Sequence, residues 1–590
     1  MNPALKTLVE NYLAWDKNAK TRAEIQALYD QNDTQKLTDR LVGQLAFGTA
    51  GIRARVEGGF KRLNYLTVIQ ITHGFARHLR ASFGEGPISV VIGYDGRFDS
   101  KAFSEYAANV FIKNGIKVYL FSEVVPTPVT AYATEHLKCQ AGLMVTASHN
   151  PKEDNGYKVY WDNGAQIIGP NDTEICRWAY SEPQPRDEYW AKDDIYTSNL
   201  LASADPAITH YMETELQRVL FKDANAKTPL KFTYSAFHGV GYKLAKKMFE
   251  GYGFPAESFV VVKEQALPDP TFPTVTFPNP EEGAKVLKLS FDTADANNST
   301  VILANDPDAD RIQLAEKQPN GEWRVFTGNE MGTLLTWWVF KNWRAKNPNA
   351  DLSKTYMLNS AVSSQIVKTI ADAEGFKSRV TLTGFKWMGN VVCDIRKEGG
   401  QVILAWEESI GFMPGSSMDK DGVISAAMFA ELAAWLHEQG VSLAAQLLTI
   451  YKTYGFHLVK SSYYIVPSPS VTAQIFSDLR TGLNYPKAIG SQAVKYVRDL
   501  TTGYDNAQKD NKAVLPLSTS SEMVTFTLEN GSIATLRASG TEPKIKYYIE
   551  LKTEPGKEDV ASVQKELAQL ETDVVQTLLN PSKYGLIARA

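Results

Sequence analysis

Three times along this chain a short aliphatic run ends abruptly in a polar loop, with strand-like and helix-like segments alternating around each loop. Ala141-Gly142-Leu143-Met144-Val145 gives way to Thr146-Ala147-Ser148-His149-Asn150-Pro151. Val301-Ile302-Leu303-Ala304 runs into Asp306-Pro307-Asp308-Ala309-Asp310-Arg311, and Val402-Ile403-Leu404-Ala405 into Glu407-Glu408-Ser409. Parallel strands need crossovers of a dozen or more residues, usually helical, so this alternation predicts βαβ units and a mostly parallel sheet. In open sheets of that kind ligands bind beyond the carboxyl ends of the strands, where all three loops fall. The recurrence is one of pattern, without a letter-by-letter repeat.

In the first unit the spacing predicts a helix over Leu66 to Phe83, a strand at Ile88 to Ile92, a helix over Ser100 to Asn114 and a strand at Ile116 to Phe121. The second has strands at Lys231 to Tyr234 and Phe259 to Val262, separated by the turn His238-Gly239-Val240-Gly241 and a helix to about Tyr252. A Pro-rich loop from Pro268 to Pro280 follows. The third has a helix from Met331 to Trp343, strands at Thr355 to Leu358 and Arg379 to Leu382, and helices around Ile366 and from Met388. Residues 1–40 read as one charged amphipathic helix with Leu5, Leu8, Val9 and Leu13 on a face. Beyond it, Phe47-Gly48-Thr49-Ala50-Gly51-Ile52-Arg53 delivers one arginine from a Gly-punctuated segment.

The C-terminal part changes character. Ser462 to Val466, Val524 to Leu528 and Ser532 to Leu536 read as antiparallel strands, with Asn530-Gly531 as a two-residue hairpin turn. With helices around Phe476 and Val563 this is an α+β domain. The expected class is therefore α/β: three related α/β domains with mixed, mostly parallel sheets, and a C-terminal α+β domain. Their bounds are 1–208, 209–325, 326–458 and 459–590.

A chain of 590 residues is too long for a single core. Its composition is that of a globular protein, 44% hydrophobic and 22% charged. A net charge of −4 argues against a nucleic-acid partner and requires any anionic ligand to be met by a local basic cluster. Cys139, Cys176 and Cys393 form no CxxC pair, which suits a reducing compartment. The start of the chain has no secretory apolar core, and no apolar run nears the roughly 18 residues of a membrane span. The expected protein is cytoplasmic, with neither membrane nor nucleic-acid partners.

Each loop suggests chemistry. Thr146 to Pro151 is either an ST-turn closing a strand or the site of an exposed reactive hydroxyl. Asp306, Asp308 and Asp310 put three carboxylates within five residues, an arrangement that a hard divalent cation such as Mg²⁺ stabilises. A solvated acidic turn is the alternative; an EF-hand is excluded because Arg311 stands where that loop needs Gly and Lys317 where it needs Glu. Arg537-Ala538-Ser539-Gly540-Thr541, with Lys544 and Lys546 after it, can cradle an oxyanion or be an ordinary loop. Lys386, in Thr383-Gly384-Phe385-Lys386-Trp387, suits a phosphate or sugar oxygen, and Glu407 and Ser409 suit vicinal hydroxyls. Together these point to phosphoryl transfer on a polyol phosphate, with Arg53 and Lys158 available to stabilise charge or move protons.

Four of these motifs, Thr146–Pro151, Asp306–Arg311, Glu407–Gly411 and Arg537–Thr541, resemble in residues and order those of the α-D-phosphohexomutase family of phosphoglucomutases and phosphomannomutases. The resemblance implies three related α/β domains and a smaller C-terminal domain around a central cleft. It implies that Ser148, with His149 beside it, is a phosphoserine and a Mg²⁺ ligand, one ion per chain, together with Asp306, Asp308 and Asp310. Arg53 and Lys158 would serve as acid, base and charge stabiliser, with Arg311 near the substrate. Thr383, Gly384 and Lys386 would form the specificity loop, and Glu407 and Ser409 would hold sugar hydroxyls. Arg537, Ser539, Gly540, Thr541 and Lys546 would bind the phosphate that is not transferred. Glucose 1,6-bisphosphate would be activator and intermediate.

The implied activity is interconversion of glucose 1-phosphate and glucose 6-phosphate, with mannose phosphates as further substrates, by a monomer or weak homodimer. Asn150 to Trp161 and Gly384 to Asn390 look more like a branch with phosphopentomutases and glucose-1,6-bisphosphate synthases. Trp406 also stands where the family often has Gly. Two other classes of function compete: a sugar-phosphate phosphatase using the same serine and metal, and a non-catalytic sugar-phosphate-binding protein.

Overall fold

The computed structural model describes residues 1–517, 522–538 and 543–589. They form two compact units, one of Met1–Met331 with Thr383–Ser442, the other of Gly332–Leu382 with Leu443–Ala590. Among the described residues no helix is long and apolar enough to cross a membrane.

The first unit begins with three helices, Pro3–Trp15, Ala19–Asp30 and Thr34–Leu41, where the sequence suggested one. The break is chemical. The Asn18 side chain accepts from the Lys20 and Thr21 amides and Asp33 accepts from Lys36, so each restarts a helix as its N-cap. The three bury their own cluster of Leu5, Val9, Tyr12, Ile25, Leu37 and Leu41.

Next comes a six-stranded sheet of β1 (Ile52–Arg55), β2 (Ser89–Tyr94), β3 (Lys117–Leu120), β4 (Ala141–Val145), β5 (Asp154–Trp161) and β6 (Leu201–Ser203), in the order β1-β5-β4-β2-β3-β6. Strands β4, β2, β3 and β6 are parallel neighbours, whereas β5 and β1 are antiparallel additions. The helix Tyr65–Phe83 packs on this sheet and on the helix Asn171–Ser181. A second sheet holds β7 (Phe232–Ser235), β8 (Phe259–Val261), β9 (Val301–Asn305), β10 (Ile312–Lys317) and β11 (Trp323–Val325), in the order β11-β10-β9-β7-β8. Here β8, β7 and β9 are parallel, and β10 and β11 turn back antiparallel. The unit closes with the strands Gln401–Glu407 and Gly411–Met413 and the helix Gly422–Glu438. That helix is apolar around most of its circumference because it is buried on nearly every side.

In the second unit Thr355–Ser360 pairs in parallel with Lys377–Thr381 through the helix Ile366–Glu374. Its remainder is an antiparallel sheet in which Gln492–Asp499, Met523–Leu528, Ile533–Ala538, Lys544–Lys552 and His457–Ile465 follow in spatial order. The helices Pro469–Arg480 and Val560–Val574 belong to the same unit. The Asn530-Gly531 hairpin has a three-residue loop rather than two. Leu528 accepts from the Gly531 amide and donates to Ser532, and Gly531 sits at φ +83°. A type I turn followed by a left-handed glycine gives that geometry.

Candidate active site

One local structure repeats at the three polar loops. Each joins a strand to an antiparallel return strand: β4 to β5, β9 to β10, and Gln401–Glu407 to Gly411–Met413. Each also holds one non-glycine residue in the left-handed region, Ser148 at φ +54°, Ala309 at +56° and Ile410 at +55°. Such residues are uncommon and cluster at functional sites, where surrounding contacts enforce them. Residue pattern alone does not mark these return strands, since β5 and β10 are buried on both faces and lack polar alternation.

At the first loop the Ser148 amide donates to Thr146 Oγ1 at 2.8 Å, so the ST-turn is present and is what presents the serine. Ser148 is buried, and its Oγ donates to Asp306 Oδ2 at 3.0 Å with His149 Nδ1 at 3.2 Å on another side. Burial, then Arg311 and Arg53, hold the His149 imidazole well below its ordinary range, so it is neutral.

Asp306, Asp308 and Asp310 are buried, and one oxygen from each lies within 4.8 Å of the others. Lys158, on β5, bridges Asp308 Oδ2 at 2.7 Å and Asp310 Oδ2 at 2.9 Å. Burial works against that amine's charge, but the two carboxylates outweigh it and raise Lys158 above its ordinary value. Thr127 Oγ1 adds a hydrogen bond to Asp308 at 2.7 Å, and the Arg311 amide donates to Asp306 Oδ1 at 3.0 Å. Asp308 Oδ1 and Asp310 Oδ1 are buried without a hydrogen-bond partner among the described residues. These two unpartnered oxygens, in a triad that the Ser148 hydroxyl meets through Asp306, belong to an all-oxygen donor set, which fits a hard divalent cation. The solvated acidic turn is excluded by burial.

Arg53, on β1, is half-buried and gives Nη1 to Asn150 Oδ1 at 3.0 Å. Its Nε and that of Arg311 have no partner among the described residues. Burial, with Arg311 nearby, lowers the Arg53 guanidinium from its ordinary value. Two half-buried guanidiniums that oppose each other's charge, each with a buried, unmet Nε donor, are suited to meeting an anion.

The third loop reaches the second through Ile312, whose amide donates to Ile410 O at 3.2 Å. Glu407 accepts from the Gly384 amide at 2.9 Å, which joins it to the Thr383–Lys386 segment. Burial, with Glu408 beside it, pushes the Glu407 carboxyl up to about 7. Thr383 Oγ1 is buried without a partner among the described residues, and Ser409 is half-buried at the turn. Gly384 is at φ +108°, and a β-carbon there would stand 2.6 Å from Thr49 Cγ2. Lys386 Nζ lies 3.4 Å from Gly48 O. The Gly-punctuated segment before Arg53 therefore packs on the Thr383–Lys386 loop.

Arg537 and Lys546 face one another across neighbouring strands of the second unit, half-buried and exposed respectively. Lys544 lies over the Tyr463 ring at 4.7 Å. Ser539, Gly540 and Thr541 fall outside the described residues.

Lys420 belongs to the first-unit site and was missed. Its Nζ meets Asp310 Oδ2 at 2.7 Å, so two buried ammoniums neutralise the three carboxylates in part. Its sequence signal was weak, a lysine between Asp419 and Asp421 before a long apolar run. Gly411 makes room for it, since a β-carbon at that position would lie 2.8 Å from Lys420 Cδ.

A buried serine beside three clustered carboxylates, with arginine and lysine around them, brings together the groups that phosphoryl transfer uses. Family models described as phosphoglucomutase/phosphomannomutase α/β/α domains I, II and III match residues 44–185, 209–321 and 327–454. The model of the C-terminal domain matches residues 497–569. The chain belongs to the phosphoglucomutase/phosphomannomutase family, and like its members it is a mutase, an isomerase of sugar phosphates. A human phosphopentomutase is 46% identical over 593 residues, 98% of this chain and 96% of that protein. A human glucose 1,6-bisphosphate synthase is 44% identical over 604 residues, 100% of this chain and 96% of its own length. Among solved structures, the open form of the Paramecium phosphoglucomutase pp63/parafusin shares the fold. Its TM-score is 0.68 at 18% identity, over 91% of this chain and 97% of that one.

Proposed function

We propose that this protein interconverts the 1-phosphate of a sugar and its terminal phosphate ester through phosphoserine 148 and a sugar bisphosphate. The observation that carries it is the Ser148 hydroxyl, buried and hydrogen-bonded to Asp306 at 3.0 Å within the aspartate triad. Asp306, Asp308, Asp310 and the Ser148 oxygen would hold one Mg²⁺. Bound there, the ion would neutralise charge on the transferring phosphoryl group.

The chain's own groups perform the rest. Arg53 and Arg311 hold phosphate oxygens; a guanidinium does not give up its proton, so Arg53 stabilises charge rather than shuttling protons. Lys158 keeps Asp308 and Asp310 in place and faces the same centre as an ammonium. When a phosphoryl group returns to Ser148, its proton leaves towards His149 Nδ1 or Asp306, the two acceptors in reach. Glu407, Ser409 and Thr383 to Lys386 read the sugar hydroxyls. Arg537 and Lys546, with Ser539, Gly540 and Thr541, bind the phosphate at rest. Each of the four segments 1–208, 209–325, 326–458 and 459–590 supplies one of these loops.

For the sugar, the relatives named phosphopentomutase support ribose and deoxyribose phosphates, in place of the glucose phosphate that the motifs alone put first. Glucose phosphates stand as the second reading, supported by relatives named glucose 1,6-bisphosphate synthase. The test is a panel of kcat/KM on the 1-phosphates of ribose, deoxyribose, glucose and mannose, with Mg²⁺ and a trace of glucose 1,6-bisphosphate. A preference for the pentoses is expected. A preference for glucose would reverse the order of the two readings, and release of inorganic phosphate without isomerisation would replace both with a phosphatase.

A further inference from the structure

Strand β2 lies beside β4, and its end runs into the turn Asp95-Gly96-Arg97. The connection after β2 leads towards β3 on one side of it, while β4 lies on the other, so this is the switch point of the parallel sheet. Arg97 reaches from there under the neighbouring loop. Its side chain is 1% exposed. Nη1 donates to Pro151 O at 2.8 Å and Asp154 O at 3.1 Å. Nη2 donates to Ser148 O at 2.6 Å and Asn150 O at 2.6 Å. Three carbonyls of the loop that carries Ser148, and that of Asp154 at the start of β5, therefore converge on one planar fork.

The fork is itself held. Asp95 Oδ1 accepts from the Arg97 amide at 3.0 Å and from Ser100 Oγ at 2.6 Å, while Oδ2 lies 3.4 Å from Arg97 Nε. The guanidinium also lies over the Phe272 ring, 5.0 Å from its centroid. On the other side of the clamp, Ser148 occupies a left-handed conformation at φ +54° that non-glycine residues seldom adopt without enforcement.

We propose that Arg97 is the positioning residue of the reactive serine. It fixes the turn that aims Ser148 Oγ at Asp306, and it acts through the backbone of Ser148 rather than on substrate. This rests on the reading of Ser148 as the phosphoryl carrier. A lysine could not replace it, because an ammonium is a point donor and cannot span carbonyls on four residues. A reactive atom displaced by about 1 Å loses on the order of 100-fold in rate.

The experiment follows transfer of phosphate from glucose 1,6-bisphosphate to Ser148 by intact-protein mass, beside steady-state kinetics, in wild type, R97K, R97A and D95N. R97K should be phosphorylated about 100-fold more slowly, with kcat falling in step and KM nearly unchanged. Methylguanidinium should restore R97A at least about tenfold, which a merely structural loss would not allow. D95N, which keeps the fork but weakens its support, should fall between wild type and R97K. It carries the test with R97K should R97A fail to fold. Wild-type phosphorylation in R97K, a change confined to KM, or a folded R97A that methylguanidinium leaves inactive would each overturn the proposal. A wild-type protein that takes up no phosphate at Ser148 would instead remove the phosphoserine reading beneath it.

Discussion

Glu407 illustrates how burial and function compete in one side chain. Its carboxyl is pushed up to about 7 from 4.5, by burial first and Glu408 second. A carboxyl raised on folding contributes stability that is whole below about 4.5 and is lost as pH rises through about 7. The buried carboxylate therefore costs on the order of 3 kcal/mol at high pH. E407Q should match wild type in denaturant stability near pH 5 and exceed it near pH 8; parallel stability curves would refute this. If Glu407 accepts from sugar hydroxyls, wild-type KM should also fall between pH 6 and 8, and E407Q should flatten that dependence. Residue types at the site were legible because metal ligation and phosphate binding demand particular atoms in short runs, as in Asp306 to Asp310. Lys420 was not legible, because its target, Asp310, is 110 positions away in sequence.

At the scale of elements, the strands that carry the loops were readable as aliphatic runs, since interior parallel strands are apolar on both faces. The return strands were not. β5 begins Asp154-Asn155-Gly156 and reads as a polar motif, yet its residues from Asn155 to Tyr160 are all buried. Tertiary packing, not local propensity, makes it a strand. The helix Tyr65–Phe83 shows a related constraint. It crosses the helix Asn171–Ser181 so closely that a β-carbon at Gly74 would stand 2.4 Å from the Ala179 amide nitrogen. G74A should destabilise the protein by about 1–3 kcal/mol, the usual penalty of overpacking, measured by urea unfolding. An unchanged midpoint would mean that the two helices can move apart.

For the whole molecule, the alternation of strands and helices established the class of fold, and the change to hairpins near the end established the last domain. The partition into compact units was hidden. The third stretch of alternation divides between them, with Thr355–Ser360 and Lys377–Thr381 in one and Gln401–Glu407 in the other. Composition cannot reveal such a division, because each fragment carries an ordinary apolar content. A ligand bound only by the folded state stabilises the whole fold, by about 2.7 kcal/mol at a hundredfold excess over Kd. Mg²⁺ should therefore raise the melting temperature of the wild type and leave that of D308N unmoved. An equal rise in both would place the ion elsewhere.

In the proposed reaction the phosphoryl group is carried by Ser148. The direct measurement is peptide mass mapping of wild type and S148A after incubation with glucose 1,6-bisphosphate and Mg²⁺, with mutase turnover measured on the same samples. One phosphoryl group on the Ser148 peptide of wild type is expected, none in S148A, and a loss of turnover on the order of a thousandfold or more in the variant. Phosphate on another residue, or turnover by S148A near that of wild type, would contradict it.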